Sequence, residues 1–131
     1  AHRVDALALD RQAQAGHASV VLDRLGNPSH DDLPDGNATC LPAQADIADQ
    51  VVKALRKGSF TVPGTPRAFD RVLLAGHSAG GLVTEITQYA FASADAIAVI
   101  AYNDAPSPLA LAQFSTAGGD CLTAPQHVQR D

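Results

Sequence analysis

Residues 71–81 read RVLLAGHSAGG, and this stretch decides the fold. The apolar run at residues 72–75 predicts a strand, and the pattern after the turn is helical. Between them, GHSAG has the form G-x-S-x-G, which is typical of a very sharp strand-to-helix turn. We expect Ser78 to have a strained backbone there, with its hydroxyl projecting above the sheet. We also expect glycine to be required at both Gly76 and Gly80, because a Cβ would collide with the neighbouring strand and helix.

Helix-like and strand-like segments alternate along the chain. Such alternation predicts an α/β class, with a parallel sheet, right-handed crossovers and helices on both faces. The predicted segments are helix Val4–Ala15, strand Ala18–Leu22, helix Ala43–Lys57, strand Val72–Ala75, helix Leu82–Phe91, strand Ala96–Ile100 and a short helix at Pro108–Phe114. The short, β-branched apolar run at Ala18–Leu22 predicts a strand that is buried on both faces.

The composition limits the size and the partners of this protein. A chain of 131 residues has room for one domain with one core. Its net charge of −5 argues against nucleic acid, whose phosphates require a basic surface. No apolar run approaches the roughly 20 residues that span a membrane. We therefore expect no nucleic-acid partner and no membrane span. We also expect no cofactor and no metal.

Over roughly residues 3–105, the chain resembles an α/β-hydrolase. Three features occur in that family's order: the strand and turn VVLDRLG at 20–26, the helix at 43–57, and GHSAGG at 76–81. The last form is common among serine esterases, lipases and thioesterases. Pro28 departs from the pattern, because it stands where the family usually has a second glycine. The resemblance implies the core portion of an α/β-hydrolase-like fold, a parallel sheet with flanking helices.

The resemblance also implies roles for individual residues. Ser78 is the candidate nucleophile, and the backbone N–H of Ala79 is one half of a candidate oxyanion hole. Asp104, directly after the third strand, is the candidate acid, with a plain loop aspartate as the alternative. His127 is the candidate base, with a surface histidine as the alternative. His77 is too close in sequence to reach Ser78. It is predicted to pack against and orient the strand-to-helix turn at residues 76–80, which is called the nucleophile elbow in this family.

Other parts of the family's fold have no counterpart in this sequence. Members have a larger sheet than the three strands predicted here, and the usual acid and base loops follow later strands. We therefore interpret 1–131 as a single partial domain, with its core elements in 1–105 and a loop-like or cap-like tail in 106–131. Three alternatives stay open: a fragment, a sheet completed by further chain segments or a homo-oligomer, or a minimal variant.

The leading functional hypothesis is a serine hydrolase that cleaves a small-molecule ester or thioester through an acyl-enzyme at Ser78. An acyltransferase is an alternative, disfavoured because such enzymes usually carry an acidic residue where this chain has Gly81. A non-catalytic interaction module derived from a hydrolase is another alternative.

Cys40 and Cys121 match no metal spacing, so they are either two thiols or one disulfide. The disulfide would favour a secreted protein, and localisation is otherwise open.

Overall fold

The computed structural model describes residues 3–23, 40–60, 67–102, 105, 107–109 and 111–112. The elements in these ranges are, in chain order, α1 (Arg3–Gln14), α2 (Leu41–Lys57), β1 (Leu73–His77), α3 (Ala79–Phe91) and β2 (Ala96–Ile100). The strands β1 and β2 are paired in parallel, with Leu73 opposite Ala96 and His77 opposite Ile100. The described part is therefore of mixed α/β class, as the alternation predicted.

Helix α2 begins two residues earlier than its apolar pattern predicts. Pro42 lies in its first turn, where the fixed φ of proline suits a helix start and no N–H is lost. Cys40 is the extended residue before it. The helix ends at Gly58, whose left-handed φ of 67° lets its N–H return to the carbonyl of Leu55.

The core lies between the two longer helices. Helix α3 packs on the sheet, and α2 packs on α3. The hydroxyl of Thr87 is buried at this contact, 2.7 Å from the carbonyl oxygen of Val83 and 3.3 Å from that of Ala45. Because this polar group is bonded, it can be buried without an uncompensated cost. The buried residues of the two helices are Ala45, Ala48, Asp49, Val52, Gly81, Val83, Thr84 and Thr87.

The two faces of the sheet differ. Helix α3 covers the face that carries Gly76 and Val99. The other face, which we call the open face, carries Leu73, Ala75, His77, Ala96, Ala98 and Ile100. Leu73 is 61% exposed and Ile100 54% exposed. Helices were expected on both faces, but in the part of the chain that the structure describes, α2 and α3 lie on one side, because α2 packs on α3 rather than across the sheet.

The elements around the turn are longer than predicted, and β2 has the predicted bounds. Strand β1 continues through His77, and α3 already begins at Ala79. Glycine, serine and histidine are weak formers of helix and strand. A prediction from the sequence pattern alone therefore ends the strand too early and begins the helix too late. The whole turn is thereby reduced to a single residue, Ser78.

The prediction of a strand at Ala18–Leu22 was wrong. The segment has no regular secondary structure, and Val21 is 63% exposed. A strand is stable only when a neighbour pairs with its backbone, and the described sheet contains only β1 and β2. An apolar, β-branched composition does not supply that neighbour. The short helix predicted at Pro108–Phe114 is helical at its described residues, 108–109 and 111–112.

Candidate active site

Ser78 is the single residue between β1 and α3. Its φ of 53° and ψ of −124° lie in a region that side chains rarely occupy. Its N–H donates to the carbonyl of Ile100 at 2.8 Å, which continues the sheet by one bond. Its own carbonyl accepts from the N–H of Gly81 at 2.8 Å. The backbone of Ser78 is thus held from both sides, which maintains a conformation that would otherwise relax.

Gly76 is the point where the helix meets the strand. A Cβ on Gly76 would overlap the carbonyl group of Gly80 and would lie 2.6 Å from Oγ1 of Thr84. No side chain fits in that space, so the expected requirement for glycine at Gly76 is confirmed. The absent side chain is what allows α3 to start directly after Ser78.

The expected requirement for glycine at Gly80 was wrong, since a Cβ there would have nothing within 4 Å. The second close approach is at Gly81, where a Cβ would lie 3.0 Å from Cγ1 of Val99 and 3.1 Å from Cβ of Tyr102. Consecutive helical residues are about 100° apart around the axis, so only one of this glycine pair can face the sheet. The G-x-S-x-G spacing marks Gly80 and does not include Gly81.

Two hydrogen-bond donors remain available at this turn. Ser78 occupies the N-cap position of α3, yet its exposed side chain makes no capping bond. Among the bonds between described residues, none uses the backbone N–H of Ala79. The first N–H groups of a helix carry a partial positive charge. Helix α3 has no acidic residue in its first turn to neutralise that charge.

His77 lies on the open face, away from α3. It pairs with Ile100 at the last position of the register, and its side chain is exposed. Since successive strand side chains point to opposite faces, His77 is directed away from the contact at Gly76. The expectation that it packs against the elbow is therefore wrong. In the ranges described, no hydrogen bond joins it to Ser78.

The remaining predicted site residues lie outside the described residues. These are Asp104, the candidate acid, and His127, the candidate base. The structure thus brings together Ser78 and the N–H of Ala79, and the acid and base stay predictions.

Cys40 is disulfide-bonded, and the only other cysteine in the sequence, Cys121, also lies outside the described residues.

The opposite end of the sheet carries a set of hydrogen bonds centred on Arg56. Its guanidinium donates to the carbonyl of Ser93 through Nε at 3.1 Å and Nη2 at 3.0 Å, and to that of Asp70 through Nη1 at 3.1 Å. Nη2 also lies 2.6 Å from Oδ2 of Asp95. This group, which we call the amino-end clamp, consists of Arg56, Asp70, Val72, Ser93 and Asp95.

Asp95 in the clamp is held as a carboxylate. The backbone N–H of Val72 donates to its Oδ2 at 2.7 Å, and Asp95 returns a backbone bond to the carbonyl of Val72 at 2.9 Å. The pKa of Asp95 is lowered below its ordinary value, first by the Val72 bond; burial opposes this shift, and the bond and charge of Arg56 add to it. The carboxylate thus fastens β1 to the start of β2.

Sequence reasoning did not find the clamp. Arg56 is 37 residues from Ser93 and 39 from Asp95, so no local pattern connects them. It also did not find Tyr102, which packs on Gly81. The Gly80-Gly81 doublet is the one signal that could have indicated a second close approach.

Comparisons of the chain with protein-family models, with curated proteins and with solved structures gave no significant match. In the described ranges, no helix is both long and apolar enough to cross a membrane. The same residues contain no group of three or more His, Cys, Asp or Glu placed to hold a metal ion.

Proposed function

We propose that this chain carries the nucleophile of a serine hydrolase that acts on an ester or thioester. One observation supports this most: Ser78 is a non-glycine residue held at φ 53° and ψ −124° between a parallel strand and a helix. A residue in such a region costs on the order of 1–3 kcal/mol, and such residues cluster at active sites. A turn that only connected two elements would be more stable with glycine at this position.

The reaction begins with the hydroxyl of Ser78. Its Oγ attacks the substrate's carbonyl carbon while a general base takes the hydroxyl proton. The alcohol or thiol then leaves with a proton returned from that base, and the acyl group remains on Oγ. Water adds to the acyl-enzyme in the same way and releases the carboxylic acid. His127 as base and Asp104 as its partner are the candidates for the proton transfers.

The start of α3 supplies the electrostatic part of the proposal. In this proposal, the N–H of Ala79 stabilises the negative oxygen of the tetrahedral intermediate, and the partial positive charge of the helix N-terminus adds to that effect. Loss of one oxyanion donor in known serine hydrolases costs about 10²–10³ in rate. A second donor would come from outside the described residues.

We further propose that β1, α3 and β2 form the elbow portion of an α/β-hydrolase-like sheet, which other segments or a second copy complete. In the described residues, the two-stranded sheet leaves strand edges for such segments to pair with, and its apolar open face, with Leu73 61% exposed, leaves a surface for them to cover. The same observation favours one second candidate function, a non-catalytic interaction module that uses the open face. In that case Ser78 would be chemically inert.

The test compares Ser78→Ala with the wild-type chain in hydrolysis of p-nitrophenyl esters and an aromatic thioester, together with labelling by a fluorophosphonate. We expect hydrolysis to fall by about 10⁴-fold or more, as for other nucleophile deletions, and the label to map to Ser78 by mass spectrometry. Ser59→Ala, at an exposed serine beyond the end of α2, is the matched control and should retain activity and labelling. Equal hydrolysis by wild type and Ser78→Ala would exclude the hydrolase.

A further inference from the structure

A second left-handed residue lies beside Ser78. Ala101, directly after β2, has a φ of 55°. Because His77 pairs with Ile100, Ser78 and Ala101 are the next residues on the two neighbouring strands. A left-handed conformation is unfavourable for alanine as well as for serine. Each strand is therefore followed by a strained residue at the carboxyl end of the sheet.

The turn at Ala101 brings Tyr102 onto the first turn of α3. Tyr102 is half-buried, and its Cβ borders Gly81 so closely that an alanine Cβ at position 81 would lie 3.1 Å from it. Gly81 in turn donates its N–H to the carbonyl of Ser78 at 2.8 Å. The N–H of Ser78 bonds to Ile100, two residues before Tyr102. Ser78, Gly81 and the chain from Ile100 to Tyr102 are therefore each connected to the other two.

We propose that Tyr102 is a positioning residue for Ser78. By packing on Gly81 it fixes the first turn of α3 against the end of β2, and the bond from Gly81 transmits that position to Ser78. The adjacent N–H of Ala79 is fixed by the same contact. The effect on reaction rate rests on the proposed function, whereas the effect on the backbone of Ser78 does not.

The test uses the variant Gly81→Ala in the full chain. This substitution adds one methyl group where Gly81 contacts Tyr102 and Val99. Tyr102 and Val99 must then move by a few tenths of an ångström. Amide hydrogen exchange is measured at Ser78 and, as a reference for global opening, at the buried Val52 of α2. We expect exchange at Ser78 to accelerate about tenfold relative to Val52, and kcat to fall about tenfold with KM nearly unchanged, since small misplacements of a reacting group cost such factors.

Gly80→Ala is the matched control, because it adds the same methyl group where nothing lies within 4 Å. Its Ser78 exchange should stay within about twofold of wild type. Tyr102→Gly, which removes the Cβ that contacts Gly81, should accelerate exchange at Ser78 as Gly81→Ala does. This second variant decides the matter if Gly81→Ala does not fold.

Unchanged Ser78 exchange in both Gly81→Ala and Tyr102→Gly would overturn the proposal, as would equal acceleration at Ser78 and Val52. If wild-type protein is not labelled at Ser78 but the exchange results are as expected, the proposed function fails and the positioning role stands. If labelling occurs and neither variant alters Ser78 exchange or kcat, the positioning role alone fails.

Discussion

The two ends of the small sheet differ in how their polar groups are used and in how much backbone strain they carry. At the amino end, Arg56 makes four guanidinium contacts, and Asp95 is joined to Val72 by one bond to its carboxylate and one bond between the backbones. At the carboxyl end, Ser78 and Ala101 have strained backbones, and the hydroxyl of Ser78 makes no capping bond. The first arrangement uses its polar groups internally. The second leaves the Ser78 hydroxyl and the Ala79 N–H without a hydrogen bond among the described residues.

Under the proposed function, this difference separates the groups that stabilise the sheet from the groups that act on a substrate. A group that has internal partners contributes to folding and has little left for a substrate. A residue with a strained backbone lowers stability, and such residues cluster at functional sites. Substitutions at the two ends should therefore have different consequences.

The largest expected effect is that of Gly76→Ala at the carboxyl end. The new Cβ would overlap the carbonyl group of Gly80, so β1 and α3 must separate. We expect the free energy of unfolding to fall by about 3 kcal/mol, measured by urea denaturation. Gly80→Ala is the control and should be as stable as wild type or slightly more so, because alanine favours a helix. Equal stability of both variants would contradict the close approach at Gly76.

At the amino end, Arg56→Ala should lower the free energy of unfolding by about 1–2 kcal/mol. The loss comes mainly from the bonds to the carbonyls of Ser93 and Asp70, because a half-exposed ion pair adds little. Arg56→Lys keeps the charge without the planar fork and should recover only part of the loss. Labelling of Ser78 should continue in both variants below their unfolding temperature. If labelling stopped while the fold persisted, the two ends would not be independent.

A smaller effect separates strain from chemistry at Ser78 itself. Ser78→Gly relieves the unfavourable backbone, while Ser78→Ala retains a Cβ in the same conformation. We expect the glycine variant to be about 1 kcal/mol more stable than the alanine variant, by thermal or urea unfolding. Neither should hydrolyse esters. A glycine variant less stable than the alanine variant would mean that Ser78 carries no strain.

The smallest effect is a pH dependence at Asp95. Its pKa is lowered in the folded chain, so its contribution is present above the ordinary pKa of about 4 and is lost as the pH falls through the folded value. Asp95→Asn should therefore be less stable than wild type at neutral pH, and the difference in melting temperature should shrink below roughly pH 4. Asp70→Asn serves as the comparison, because the clamp uses only the backbone carbonyl of Asp70. A difference that is constant with pH would exclude the charged form of Asp95 as the stabilising species.

The sequence predicted the elements whose signals are local. Strand β2, the turn at Ser78 and the parallel order follow from apolar runs and glycine spacing, and the structure has them. It failed at Ala18–Leu22, because pairing depends on a neighbour that no local pattern describes. It also failed to find Arg56 in its clamp, since those contacts join residues about 40 positions apart.

For the candidate site, the sequence predicted the residue types and missed part of the geometry. Ser78 and Gly76 were found because both are needed for one tight turn. The second close approach was predicted at Gly80 and lies at Gly81, since which of the two faces the sheet depends on the angle at which α3 leaves the strand. The role of Tyr102 depends on the left-handed turn at Ala101, and alanine gives no sequence signal of such a turn.

The open face has a consequence for the temperature dependence of folding. Apolar surface that is already hydrated in the folded chain adds nothing to the heat-capacity change of unfolding. With Leu73 and Ile100 more than half exposed, the sheet contributes less to that change than a sheet covered on both sides would. The sheet should therefore add less curvature to the temperature dependence of stability than a sheet of the same length covered on both sides.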